Sequence, residues 1–492
     1  MREFIPVKVL AVLDILHKSG YSAYLVGGCV RDVLMNREPK DWDITTNANP
    51  DQIQALYPKT VYENDFGTVF VINEEEPCES AFREIQITPY RTEGGYSDAR
   101  HPDSVSFNAT LQDDLSRRDF TINAIAFDPI LNDVVDPFGG IKDIKDMSIR
   151  TVGNPNERFQ EDALRLMRCV RFHVQLGFNV SRETFEALKS NYSLLSKVSC
   201  ERIRDEFNKI ISSPNPMQGI NVLRETQLLQ YISKDLMDSY GIGQNRSHIY
   251  DVYEHLVRAC QFAADNGWEF HVRLAALFHD IGKPPTKRFD AAQKEHTFYG
   301  HEVVGARITE RFMRNMKYDN DIINKVVKLI RYHMFFSDTD QITLSAVRRI
   351  IRNVSPELIW DLMKVRRCDR IGMGRAKEDP YRLRKYEAMI EEALRDPISV
   401  SQLKIDGNTI MKTFDVKPGP RIGWTLNALM EEVLEDPQKN TQEFLVKRAT
   451  ELLDLSDAEL KKLGEAGKEK QKELEEAEVA ALHAKHKVRK GN

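Results

Sequence analysis

The sequence predicts an α/β head up to about residue 150 and a mostly α-helical remainder, on three observations. A helical apolar repeat over 7–19 stops at Gly20 and gives way to the apolar strand Tyr24-Leu25-Val26, a Gly27-Gly28 turn and a new helix. Short apolar or alternating runs recur at 69–72 and 84–88, with weaker ones at 106–107 and 134–135. From about residue 157 the period becomes that of helices, over 160–176, 182–196, 200–212, 218–232, 250–264, 271–281, 301–315 and 321–333.

With 492 residues the chain has room for about three domains. Its 70 basic and 75 acidic side chains leave a net charge of -5, so contact with nucleic acid or acidic lipid must come from local basic patches. Hydrophobic residues at 41% and charged residues at 29% match an ordinary globular chain, and no stretch approaches the ~18 apolar residues of a membrane span. The start, Met1-Arg2-Glu3-Phe4-Ile5-Pro6, has no apolar segment with a small-residue cleavage site, so a cytoplasmic setting is expected. The scattered Cys29, Cys78, Cys169, Cys200, Cys260 and Cys368 predict reduced thiols rather than a disulfide framework or a thiolate zinc site. Polar stretches at 233–249, 334–342 and 376–385 are candidate boundaries. Residues 461–492, with nine Lys or Arg, six Glu and no Phe, Tyr or Trp, predict a long solvated helix fraying into a basic end.

Gly28 and Arg31, after the first strand, set backbone N–H groups and a cation where a triphosphate could sit, against a plain structural turn as the other reading. Asp41 and Asp43 share a face if they lie on a strand, and two adjacent carboxylates resist joint ionisation unless a cation such as Mg²⁺ neutralises them. A solvent-facing acidic pair is the alternative. Glu84, on the alternating run, is a candidate third ligand or a partner for an arginine such as Arg91.

These residues carry a resemblance. The run 25–34 with Lys40-Asp41-Trp42-Asp43-Ile44 resembles the first motif of the bacterial and eukaryotic class of CCA-adding tRNA nucleotidyltransferases and bacterial poly(A) polymerases. The run 114–124 resembles the second motif, which implies that Arg118, Asp119 and Asn123 hold the ribose and phosphates of the incoming nucleotide. Phe138-Gly139-Gly140 with Asp143 resembles the hinge between head and neck. The run 161–168 resembles the motif whose Asp and Arg read the base edge of CTP or ATP, here Asp162 and Arg165, with Arg168 one turn on. Read as i and i+3 on one helix, Asp162 and Arg165 offer an acceptor and a donor to the amino group and ring nitrogen that cytosine and adenine share. The run 201–206 resembles the next segment of the neck. The polar run 91–103, unlike a fixed strand, resembles the flexible loop tied to addition of the terminal A, with Tyr96, Asp98 and Arg100 as its candidates.

Of 12 histidines, His255, His279, His296, His301 and His333 fall within 79 residues. Imidazoles with a carboxylate suit a divalent transition metal. His255, His279-Asp280, His301, His333 and a later Asp resemble an HD-type metal-dependent phosphohydrolase domain. Asp369 is taken as that Asp, with Asp338, Asp340 and Asp361 open. A helical domain kept for packing or RNA contact is the alternative. Lys417 and Arg421, beside the Pro418-Gly419-Pro420 turn, are RNA-phosphate candidates, and the arginines at 348, 349, 352, 366, 367, 370 and 375 could meet an RNA duplex by shape.

The resemblance implies a polymerase-β-like nucleotidyltransferase head at 1–150, a base-selecting neck at 151–235, an HD domain at 236–385 and a helical body and tail at 386–492. It further implies template-independent addition of CCA to tRNA from CTP and ATP. Mg²⁺ would be the cofactor, with a second divalent metal such as Ni²⁺ or Mn²⁺ in the HD domain. The tRNA acceptor stem would be the partner, with no membrane. An A-adding enzyme or poly(A) polymerase, an HD phosphohydrolase acting on tRNA ends or nucleotides, and a non-catalytic RNA-binding protein are the alternatives.

Overall fold

The computed structural model describes residues 2–63, 67–77, 82–94, 104–244, 249–292, 294–335, 342–375, 379–395, 400 and 403–487. The chain forms two compact units: Met1–His333 with Lys364–Ala376, and Met334–Met363 with Lys377–Asn492.

The first unit opens with the helix Val7–Lys18, whose Val9, Val12, Leu13 and Leu16 recur on one face and are buried. The strands that follow are β1 (Ala23–Val26), β2 (Asp43–Thr46), β3 (Thr60–Glu63), β4 (Thr68–Ile72), β5 (Glu84–Pro89), β6 (Thr92–Gly94), β7 (Ser104–Ser106), β8 (Ala126–Asp128) and β9 (Asp133–Val135). Seven of them make one sheet in the order β3-β4-β5-β2-β1-β8-β9. β2 and β5 run parallel, and the other neighbours are antiparallel. One sheet face, with Leu25, Ile44, Val69, Ile85, Ile87 and Phe127, closes on Leu13, Leu16 and Ile53 of two covering helices. The alternation that buries Ile44 turns Asp43 and Thr45 to the opposite face. Strand β3 carries no clear apolar alternation and was not expected from the sequence.

Two local expectations are corrected here. The run 91–103 is not loop throughout, because Thr92–Gly94 pairs with Ser104–Ser106 as an antiparallel hairpin whose intervening residues 95–103 lie outside the described set. The helix expected over 160–176 is two: Pro155–Glu161 ends at Asp162, which is extended (φ -136, ψ 105), and Leu164–Leu176 begins anew. The apolar pattern runs through that break, so periodicity alone cannot show it.

Helices Arg182–Asn191, Cys200–Ile211 and Pro216–Glu225 continue the helical stretch. Val252–Asp265, Phe270–Phe278, His301–Asn315 and Asn320–Tyr332 follow and pack on those helices, Tyr253 donating to the Ile220 carbonyl and Arg273 to that of Ile211, with an unexpected hairpin of Arg288–Asp290 and Glu295–Thr297 between them. Among the described residues no helix is long and apolar enough to cross a membrane.

In the second unit, Ile410, Leu429, Leu445, Ala449, Leu452 and Leu460 form a core. The helix Asp457–Lys485 is docked rather than solvated as expected. Its Gly464 and Gly467 are buried, and a Cβ added at Gly467 would stand 2.2 Å from the Asn427 carbonyl oxygen of helix Pro420–Glu435. At its far end Lys485 and His486 pair with Glu391 and Glu387, and Arg384 donates to the His486 carbonyl at 3.1 Å. The charged composition hid this contact, because glycine makes it by having no side chain. Gly467→Val is expected to destabilise this unit by about 1–3 kcal/mol, read as a lowered melting transition.

Candidate functional site

Strand β1 ends at Val26, and Gly27 (φ 82) turns the chain into the helix Gly28–Leu34. A Cβ at Gly27 would lie 3.7 Å from Asp43 Oδ2 and 3.1 Å from Arg118 Nη1, so turn, carboxylate and guanidinium meet at one point. Pairing of Leu25 with Ile44 brings Asp43, the first residue of β2, beside that turn. Asp41 precedes the strand in an exposed bend, so it is not a strand residue as expected; Asp43 is half-buried. Burial and the neighbouring Asp41 charge push the Asp43 carboxyl up to about 6, against the Arg118 guanidinium. Such a pair gains from a divalent cation with oxygen preference. Glu84 sits at the exposed start of β5, where the register sets Gln86, not Glu84, opposite Asp43.

Arg31 donates through Nη1 to Asn123 Oδ1 at 2.7 Å and pairs with Asp32. Asn123 Nδ2 donates to Asp119 Oδ1 at 3.1 Å, which also accepts from the Phe120 amide. Arg168 Nε donates to Asp119 Oδ2 at 2.7 Å. A continuous polar chain thus runs from the glycine-turn helix through the Thr121–Asn123 turn to the helix Leu164–Leu176. Burial alone would raise the Asp119 carboxyl; the Arg168 charge and the Asn123 amide outweigh it and hold it well below the usual range.

Arg165 lies in the first turn of Leu164–Leu176, but Asp162 stands between helices, so the two do not share one helix face as expected. Arg165 Nη1 donates to Glu161 Oε2 at 2.6 Å and to the Arg158 carbonyl at 2.9 Å, and its Nη2 to the Arg117 carbonyl at 2.9 Å. Asp162 accepts from Arg202 Nη2 at 3.1 and 3.3 Å. Residues without an assigned role in the sequence reading complete the network. Buried Asp114 accepts from Thr45, Arg117 and Arg118, a pattern visible beforehand as Asp at i with Arg at i+3 and i+4. The Phe172 ring lies under Arg31, Arg168 and Arg171, with guanidinium carbons 5.3, 5.5 and 4.3 Å from its centroid. That convergence has no signature in sequence.

The histidine set forms a second centre. His255, His279, Asp280 and Asp369 bring one donor atom each within 4.8 Å of one another, and Asp280, His301 and His333 do the same. Asp280 belongs to both groups. His301 Nε2 is 3.1 Å and His333 Nε2 3.5 Å from Asp280 Oδ1, and these buried nitrogens make no hydrogen bond. Their Nδ1 atoms are fixed by the Phe298 and Ile330 carbonyls, which aims the free nitrogens inward. Burial acts to lower His279, but Asp280 and Asp369 push its imidazole up to about 10; burial would raise Asp280, yet Lys283 and His279 hold it well below the carboxylate range. The donor set is that of a divalent-metal-binding HD motif.

Tyr96, Asp98 and Arg100, like the alternatives Asp338 and Asp340, lie outside the described residues. In the second unit Lys417 is exposed, whereas Arg421 is engaged by Asp457 and by the Leu453 and Leu455 carbonyls at 2.7 and 3.1 Å. Arg421 thus staples two helices together, and its guanidinium is not a free phosphate donor as expected.

Comparison with known proteins places these features in a wider set. Residues 23–150 match the Poly A polymerase head domain, 177–239 the probable RNA and SrmB-binding site of polymerase A, and 252–373 the HD domain. The CCA-adding enzyme of Lactobacillus helveticus is 34% identical over 451 residues, covering 91% of this chain and 97% of that one. That of Ligilactobacillus salivarius is 32% identical over 449 residues, covering 91% and 96%. Among solved structures, the Bacillus stearothermophilus CCA-adding enzyme in complex with CTP aligns with a TM-score of 0.54 at 25% identity, covering 90% of this chain and 96% of that one.

Proposed function

The chain belongs to the CCA-adding tRNA nucleotidyltransferases, and from that membership we propose that it adds C, C and A to the 3′ end of tRNA from CTP and ATP, without a template. The tRNA 3′ oxygen attacks the α-phosphorus of the nucleotide; the new O–P bond forms as the bond to pyrophosphate breaks. The observation that carries the reading is the convergence of Gly27, Asp43 and Arg118, with the hydrogen-bonded chain from Arg31 through Asn123 and Asp119 to Arg168 on the helix that also bears Arg165. Asp41 and Asp43 would hold Mg²⁺, which supplies charge neutralisation at the phosphates and a lowered pKa for the attacking hydroxyl. The two carboxylates, one partly buried and raised toward neutrality, fit that ion. Gly27 leaves open the space beside Asp43 where a side chain would intrude, and Arg118 supplies positive charge there for the triphosphate.

Asp162 and Arg165 read the base edge. Cytosine and adenine offer an amino donor beside an acceptor nitrogen; uracil and guanine oppose like groups, at about 1–3 kcal/mol for each buried group left unpaired. The decisive experiment supplies tRNA lacking its last three nucleotides, and tRNA lacking only its final A, with labelled CTP and ATP singly and together. Addition of two C and one A supports the reading; A alone or a poly(A) tail supports the related activities, and no product with any nucleotide defeats all three.

The second centre favours a further reading, a metal-dependent phosphohydrolase, carried by the inward-aimed nitrogens of His301 and His333 around Asp280. Its mixed nitrogen and oxygen donors suit Mn²⁺ or Ni²⁺ better than Mg²⁺. His279→Ala is expected to lower bound Mn²⁺ or Ni²⁺ about tenfold or more by elemental analysis, and to abolish any phosphoester cleavage, while nucleotide addition persists.

A further inference from the structure

We infer that Arg202 is a positioning residue for base choice, holding the Asp162 carboxylate at the tilt from which it accepts only from an amino group. The inference rests on the reading of Asp162 and Arg165 as the base reader. Asp162 needs such a brace because it belongs to no helix: its extended backbone separates Pro155–Glu161 from Leu164–Leu176, so neither helix fixes its side chain. Besides the Leu164 amide, which donates to Oδ1 at 3.1 Å, its carboxylate partner is Arg202, whose Nη2 reaches Oδ2 at 3.1 Å and Oδ1 at 3.3 Å.

Arg202 comes from a different element, the helix Cys200–Ile211, and one turn later Glu206 pairs with Arg171 at 3.1 Å. That helix is thus tied twice to the segment 162–176. Arg202 Nη1 is buried and has no hydrogen-bond partner, so the guanidinium occupies this place without satisfying all its donors. Arg165 is anchored separately, by Glu161 and the carbonyls of Arg158 and Arg117. The two halves of the reader therefore have independent supports, and only the Asp162 half depends on Arg202.

The chemistry makes this a matter of selectivity more than of affinity. A carboxylate fixed against the base edge accepts from the amino group of cytosine or adenine and repels the carbonyl oxygen that uracil or guanine puts there. A carboxylate free to rotate still meets an amino group but swings away from a carbonyl, so rejection of the wrong base weakens first.

The test measures kcat/KM for CTP and for UTP on tRNA lacking its CCA end, with the full-length chain. R202Q and R202L are measured side by side, so a folding failure of one leaves the other to decide; R202K, which keeps a cation, is the conservative control. The expected result is a CTP-over-UTP ratio lowered about tenfold or more in R202Q and R202L and within about threefold of wild type in R202K. In the double variant D162N/R202Q the ratio should equal that of D162N alone. Equal losses with both nucleotides, or effects that simply multiply in the double variant, overturn the inference. D162N is the internal reference: if it leaves the ratio unchanged, the base-reader reading itself fails, whereas an altered ratio in D162N with an unaltered one in R202Q and R202L sinks the role of Arg202 alone.

Discussion

Asp43→Asn is expected to reduce CTP incorporation into tRNA by about a thousandfold or more while making the chelator-treated protein more stable. The two effects share one cause. Burial and Asp41 raise the Asp43 carboxyl to about 6, so its ionised form is strained in the fold. A raised folded pKa gives a contribution that is full below the unfolded value of about 4 and lost as the pH rises through about 6. Above pH 6 the wild type therefore carries the cost of a partly buried charge, and the neutral amide removes it, a gain of about 1 kcal/mol or more in thermal or urea unfolding. Below pH 4 the two proteins should converge. Near-normal incorporation by the variant would refute the metal-ligand role, and an unchanged or lowered stability at pH 8 would refute the strained-charge account.

Asp119→Ala should do the opposite to stability. This carboxylate accepts from the Phe120 amide, the Asn123 side chain and Arg168, and its removal leaves those donors facing one another across a buried gap. Arg168 keeps 33% side-chain exposure, so the loss falls short of that for a fully buried pair, at about 2–4 kcal/mol. Asp119 is held below the carboxylate range, so its contribution is present above about pH 4 and disappears as the pH falls toward the depressed value. The stability gap between wild type and variant should narrow in acid, the reverse of the Asp43 pattern. Because Asn123 in turn holds Arg31, incorporation should fall as well, by about a hundredfold or more, mostly through KM for the nucleotide. A variant as stable as wild type at pH 7 would contradict the network.

How much of this was legible in the sequence follows from what each feature is made of. The strand, glycine turn and acidic spacing around Asp41 and Asp43 are local, and a fold that pairs β1 with β2 could scarcely avoid bringing Asp43 to Gly27. The HD donors stood out because histidine is rare and theirs cluster; Asp369 could be only one of four candidates, since nothing local distinguishes it. The break at Asp162 was not legible, because no Gly or Pro marks it and apolar residues continue on both sides. Nor was the brace from Arg202, which depends on one helix meeting the break at Asp162 some forty positions away in sequence. The docked helix Asp457–Lys485 was masked by its own charge, since only two small residues make its closest approach.

The chain leaves the first unit after His333 and returns to it only for Lys364–Ala376, the segment that brings Asp369 to His255, His279 and Asp280. Neither unit is therefore a single uninterrupted stretch of polypeptide. A truncation after His333 would keep every imidazole of the second centre yet delete the buried Asp369 carboxylate, and one after residue 376 would carry an orphaned piece of the other unit with it. On the ribosome, the earlier donors must wait until that segment has emerged from the exit tunnel, so the centre is completed late in synthesis.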